Sequence, residues 1–143
     1  MISKWSKASA LGLLLALSAC AIPQTITPRI APASSNFAEA PRVEVQLDSF
    51  SFEPRTLHFV ADRPVVLVLT NVSNGGHNFS APGFFAASQI ADYDASVIAD
   101  GLVEVAPGAS VELRLIPAAG GYDVDCTHVG HTVLGMSGSI VVR

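Results

Sequence analysis

The chain has 143 residues, half of them hydrophobic, 14% charged, and a formal charge of −4. That length and composition fit one globular domain with targeting extras, and exclude both a disordered chain and a multidomain enzyme. Both lysines, Lys4 and Lys7, fall in the first 19 residues, so a chain shortened to begin at Cys20 carries 6 Arg against 12 Asp and Glu (8 − 2 = 6, charge −6), which argues against a nucleic-acid partner.

Residues 1–19 combine a short basic start with an apolar run from Ala8 to Ala19 that is too short to span a bilayer, the pattern of an export signal. Two cysteines in an exported chain would by default form a disulfide. The end of the apolar run, Leu17-Ser18-Ala19-Cys20, resembles the lipobox of bacterial lipoproteins. That resemblance implies cleavage before Cys20, a lipid on its sulfur, and anchoring to a bacterial membrane facing the periplasm or cell exterior. An acylated Cys20 leaves Cys126 as a lone exported thiol, which calls for a metal or a partner. Residues 20–41 carry Pro23, Pro28, Pro32 and Pro41 among Ser, Thr and Ala without apolar periodicity, and read as an extended tether.

From Arg42 the pattern becomes alternating. Val43, Val45 and Leu47 against Glu44, Gln46 and Asp48 predict a strand with one buried face. Residues 57–60, 64–72, 103–105, 111–115, 121–126 and 138–143 continue the set, and 64–72 is apolar enough to be a central strand. Turn signals separate them at 61–64, 73–76, 107–108 and 118–121. The exception is 84–100, Ala-rich with a loosely helical spacing of Phe85, Ile90, Tyr93 and Ile98, which predicts a short helical insertion. The expected fold is an all-β sandwich of about seven or eight strands over residues 42–143.

Near the end of the domain lies Cys126-Thr127-His128-Val129-Gly130-His131-Thr132-Val133-Leu134-Gly135-Met136, and far upstream Gly75-Gly76-His77-Asn78-Phe79. Taken singly, Cys126 is a small buried thiol, Met136 a core filler, and each histidine a loop residue. At this chain's own frequencies one Cys has both His and Met at these offsets with a chance of roughly one in a few thousand. One thiolate, two imidazoles and one thioether form the donor set of a blue-copper site. The set is His77, Cys126, His131 and Met136. His128, at Cys+2, is read as a surface or supporting histidine rather than a ligand, although competition for the oxidised metal or a second ion stays open. His58 is read as structural or exposed.

Cys-x4-His-x4-Met followed by a Gly-rich turn into Ile-Val-Val resembles the cupredoxins, the type 1 copper proteins that include plastocyanin, azurin, auracyanin and rusticyanin. The resemblance implies a Greek-key sandwich, one type 1 copper ion on His77, Cys126, His131 and Met136, and a supporting contact between Asn78 and Thr127. Asn78 is also placed to offer an amide proton to the sulfur. Its functional implication is a membrane-tethered one-electron carrier, a monomer meeting cytochrome-like or oxidase-like redox proteins through brief contacts at the edge of His131. Val133 and Leu134, with Phe84, Phe85 and Pro82, are candidates for that apolar surface. The alternative is a periplasmic copper-binding protein for storage, delivery or resistance. An enzyme is disfavoured because four ligands leave no open position. The chain has no Gly-x-Ser-x-Gly elbow or phosphate loop, and one Cys in the loop argues against a dinuclear centre.

Overall fold

A computed structural model describes residues 25–143. The expected export signal and Cys20 lie outside the described residues. The strands, in chain order, are β1 (Arg29–Ile30), β2 (Arg42–Asp48), β3 (Ser51–Glu53), β4 (Thr56–Phe59), β5 (Val65–Asn71), β6 (His77–Ser80), β7 (Gln89–Ile90), β8 (Leu102–Val105), β9 (Ser110–Ile116), β10 (Gly120–Asp125) and β11 (Ser137–Val142). They form two mixed sheets, one in the order β1-β7-β9-β5-β2-β3 and the other β4-β11-β10-β6-β8. Among the described residues, the strands beyond the expected seven or eight are mostly two or three residues long, too short to show a period of two.

The Val-rich β5 is the central strand of its sheet, paired parallel to β2 and antiparallel to β9. Val65, Leu67 and Leu69 point into the core. Val66 and Val68 are buried on the opposite face. Register explains that second burial: Arg42 and Arg114 flank Val66, and Glu44 and Glu112 flank Val68. Arg42 pairs with Glu44 and Glu112, and Arg114 with Glu112. The register places these ion-paired side chains on the outer face beside the two valines. Between the sheets, aromatic rings run in contact from Phe52 to Phe79, Phe85, Phe84 and Tyr122, with Phe59 against Phe84.

The predicted insertion is present as the helix α1 (Pro82–Ala87), opened by a proline that needs no amide partner there, followed by a 3-10 turn over Asp92–Val97. Asp94 of that turn receives the backbone N–H of Arg114 at 2.8 Å and its guanidinium at 3.0 Å, fastening the insertion to β9. The stretch read as a tether is docked in part. Arg29 and Ile30 pair in parallel with Gln89 and Ile90, and the buried Ala31 donates its N–H to Ile90 O. That docking uses backbone hydrogen bonds to a sheet edge, which need no side-chain periodicity and so leave none in the sequence.

Candidate metal centre

One end of the sandwich collects the chemistry. Strand β10 climbs to Asp125 and delivers Cys126, β6 begins at His77, and β11 leaves from Ser137. The intervening loop is tied to itself: Cys126 N–H donates to Met136 O, Met136 N–H to His131 O, and His131 N–H to His128 O, all at 3.0–3.1 Å. The Thr132 hydroxyl closes back on Cys126 O at 2.6 Å. Gly130 and Gly135 sit at φ of 84° and 106°, left-handed positions that favour glycine, and so let the loop reverse twice between Cys126 and Met136.

A second support holds His77. Asn71, 1% exposed, donates its amide protons to Gly75 O and Val105 O, and accepts from the Ser73 N–H and hydroxyl. With the hydroxyl proton committed to Asn71 or Gly75, the Ser73 oxygen is left to accept from His77 Nε2 at 2.8 Å. This assigns the proton of neutral His77 to Nε2 and frees the Nδ1 lone pair. Burial, and after it the neighbouring His131 and His128, hold the His77 pKa below the ordinary histidine value, which also favours the neutral ring.

Three donor atoms converge. His77 Nδ1 lies 3.2 Å from His131 Nδ1, Cys126 Sγ 3.4 Å from His131 Nδ1 and 3.9 Å from His77 Nδ1. A point equidistant from the three is about 2.0 Å from each, which matches first-row metal–imidazole bonds of roughly 2.0–2.1 Å. Cys126 is a buried free thiol, and Met136 is fully buried with its backbone bonded to both Cys126 and His131. The donors fit a single first-row ion and suit copper by softness. The family model for copper binding proteins of the plastocyanin/azurin type matches residues 40–143. The chain belongs to that family.

As a cupredoxin it has a copper cofactor, with His77, Cys126, His131 and Met136 positioned as a type 1 site. Comparison with curated proteins finds no match. Among solved structures it is similar to auracyanin B, at 20% identity over 85% of this chain and 99% of that one, with a TM-score of 0.58. It is also similar to dithionite-reduced auracyanin from the photosynthetic bacterium Roseiflexus castenholzii, at 15% identity over 76% and 98% of the two chains, with a TM-score of 0.54. At these identities the likeness bears on the fold.

The supporting residues differ in detail from what the sequence suggested. Asn78 and Thr127 do meet: Thr127 N–H donates to Asn78 Oδ1 at 2.9 Å, and Asn78 Nδ2 donates to Thr127 Oγ1 at 2.8 Å. The second Asn78 amide proton goes to Glu104 Oε1 at 2.9 Å, so both are engaged and neither is directed to the Cys126 sulfur. His128 lies outside the donor triangle; its Nε2 is 3.0 Å from Glu104 Oε2, and its ring stacks on His131 with centroids 5.4 Å apart. Sequence reasoning passed over Asn71, Ser73 and Glu104. The turn-forming pattern Asn71-Val72-Ser73-Asn74 ahead of His77 was the one available signal for the first two.

Around His131 the surface is apolar. Val129, Val133 and Leu134 are exposed, and Phe50, in the β2–β3 turn, meets the His131 ring edge-on with centroids 5.1 Å apart. Phe84 and Phe85 take no part, since both are fully buried against Phe59, Phe79 and Tyr122. The helical turn that carries them puts them on its inward side, where two aromatic rings gain more from the core than from water. His58 lines an open groove that includes Phe59 and Val65, the β4 and β5 residues away from the metal end.

Proposed function

We propose that this cupredoxin is a one-electron carrier, exported and tethered to a bacterial membrane through a lipid on Cys20. Copper, when bound, supplies a Cu(II)/Cu(I) couple. The observation that carries the reading is the donor triangle, because His77, Cys126 and His131 converge at metal–ligand spacing. The His77 ring is held by Ser73, and the backbones of Cys126, His131 and Met136 are held by one another and by His128. Such a frame resists rearrangement when charge arrives, which is what rapid electron exchange requires. Burial of Cys126, His77 and Met136 excludes water from the soft donors, and only partly exposed His131 leads outward.

The apolar rim of Phe50, Val129, Val133 and Leu134 suits a small, short-lived contact with another redox protein of the cytochrome or oxidase kind, made by a monomer. The same burial weighs against storage or delivery, where an acceptor must reach the ion. A carrier role, rather than an enzyme, follows from a set in which all four donors are protein groups. The test is the visible spectrum and voltammogram of the copper-loaded protein and of Cys126→Ser. An intense thiolate-to-copper band with a reversible couple, both absent in Cys126→Ser, is expected. An unchanged spectrum in the variant would end the type 1 assignment, and ready loss of copper to a chelator without a reversible couple would favour delivery.

A further inference from the structure

We propose that Glu104 is a positioning residue for the copper loop: its carboxylate holds the Asn78 amide and the His128 ring at once, and its charge lowers the reduction potential of the centre. The proposal rests on the copper-centre reading above and deepens it.

Glu104 is the outward residue of β8, directly opposite Asn78 on β6. Its two oxygens face different parts of the site. Oε1 accepts from Asn78 Nδ2 at 2.9 Å, and Oε2 lies 3.0 Å from His128 Nε2. Asn78 is 1% exposed, and its other amide proton and its carbonyl are already taken by Thr127. Glu104 is therefore the acceptor that leaves no proton of this buried amide unpaired. Through Asn78 it fixes Thr127, the residue after Cys126. Through His128 it fixes a ring stacked on His131 at an interplanar angle of 29°. The same ring lies over Gly76, where an added Cβ would come within 3.3 Å of His128 Cε1. One carboxylate thus braces the approaches to Cys126, His131 and His77.

The charge has its own consequence. Partial burial works against ionisation of Glu104, but the hydrogen bonds from Asn78 and His128 outweigh it and hold the carboxyl below the ordinary Glu range. A fixed negative charge beside the centre favours the more positive, oxidised state. A neutral residue at 104 should therefore favour reduction.

The experiment compares the full copper-loaded chain with Glu104→Gln and Glu104→Ala, by voltammetry, by the visible band, and by the Asn78 side-chain amide resonances of the metal-free protein. Glu104→Gln keeps an oxygen for Asn78 and loses the charge, so its band should persist while the reduced-to-oxidised ratio at a fixed applied potential rises. Glu104→Ala should show a rise in that ratio as well and, in addition, displaced Asn78 amide resonances. Wild-type values for either the potential or the Asn78 resonances in Glu104→Ala overturn the proposal, as does loss of the band in Glu104→Gln. Failure of the underlying copper reading looks different: the wild-type protein itself would then lack the thiolate band and the reversible couple.

Discussion

Ser73 illustrates how a single hydroxyl can govern a metal ligand. Its oxygen meets His77 Nε2 at 2.8 Å, while Asn71 holds Ser73 from behind. Removing the hydroxyl in Ser73→Ala leaves the His77 Nε2–H without its acceptor and the ring free to tilt. Copper affinity is expected to fall roughly ten- to a hundredfold with the fold intact, read by competition against a chelator. Met136 stands at the other extreme. It is fully buried, and its backbone, independent of side-chain identity, carries the bonds to Cys126 and His131. A long, weak thioether contributes more to the potential than to affinity. Met136→Leu should therefore keep copper and the visible band while the midpoint potential shifts; voltammetry and metal analysis of one sample decide it.

At the scale of elements, β11 is the strand that returns the chain from the metal loop, pairing with β10 on one side and β4 on the other. Gly138 sits where these strands are pressed together: an added Cβ would overlap the Arg55 carbonyl and approach the Val124 side chain at 3.2 Å. Ser139 N–H donates to that same Arg55 carbonyl at 3.0 Å, so the backbone cannot move aside without losing a ladder bond. Gly138→Ala is expected to destabilise the domain by about 1–3 kcal/mol, seen as a lower urea midpoint at unchanged slope. The β pattern itself was legible in the sequence where a strand is long enough to alternate, as in β2 and β9, or forms an unbroken apolar run, as in β5. Short β1, β3 and β7 were not, because two or three residues are too few to show a period of two.

For the whole molecule, the metal is a link between distant parts of the chain. Cys126 and His131 come from one loop, but His77 lies 49 residues before Cys126 on another strand of the same sheet. An ion that binds the folded arrangement and not the unfolded chain stabilises the fold by mass action, about 2.7 kcal/mol when free ligand is a hundredfold above its dissociation constant. Copper loading should raise the unfolding temperature by several degrees, and calorimetry of metal-free and loaded protein measures it. The apolar rim at the loop belongs to this scale too, since Phe50 reaches it from the β2–β3 turn.

Donor chemistry was determined by the sequence alone. Cys126, His131 and Met136 sit at fixed offsets within one loop, and alternation of Val and Leu with polar residues dictated a sandwich to hold them. These are local properties, carried by neighbours along the chain. Only the tertiary structure decided which residues surround the donors. Glu104 between Asn78 and His128 and the burial of Phe84 and Phe85 depend on contacts between separate strands and turns, while Ser73 on His77 and the stack of His128 on His131 depend on how their loops are folded. The physical reason is that a hydrogen bond forms only where two groups come within about 3 Å, and strand register, not spacing along the chain, sets that distance.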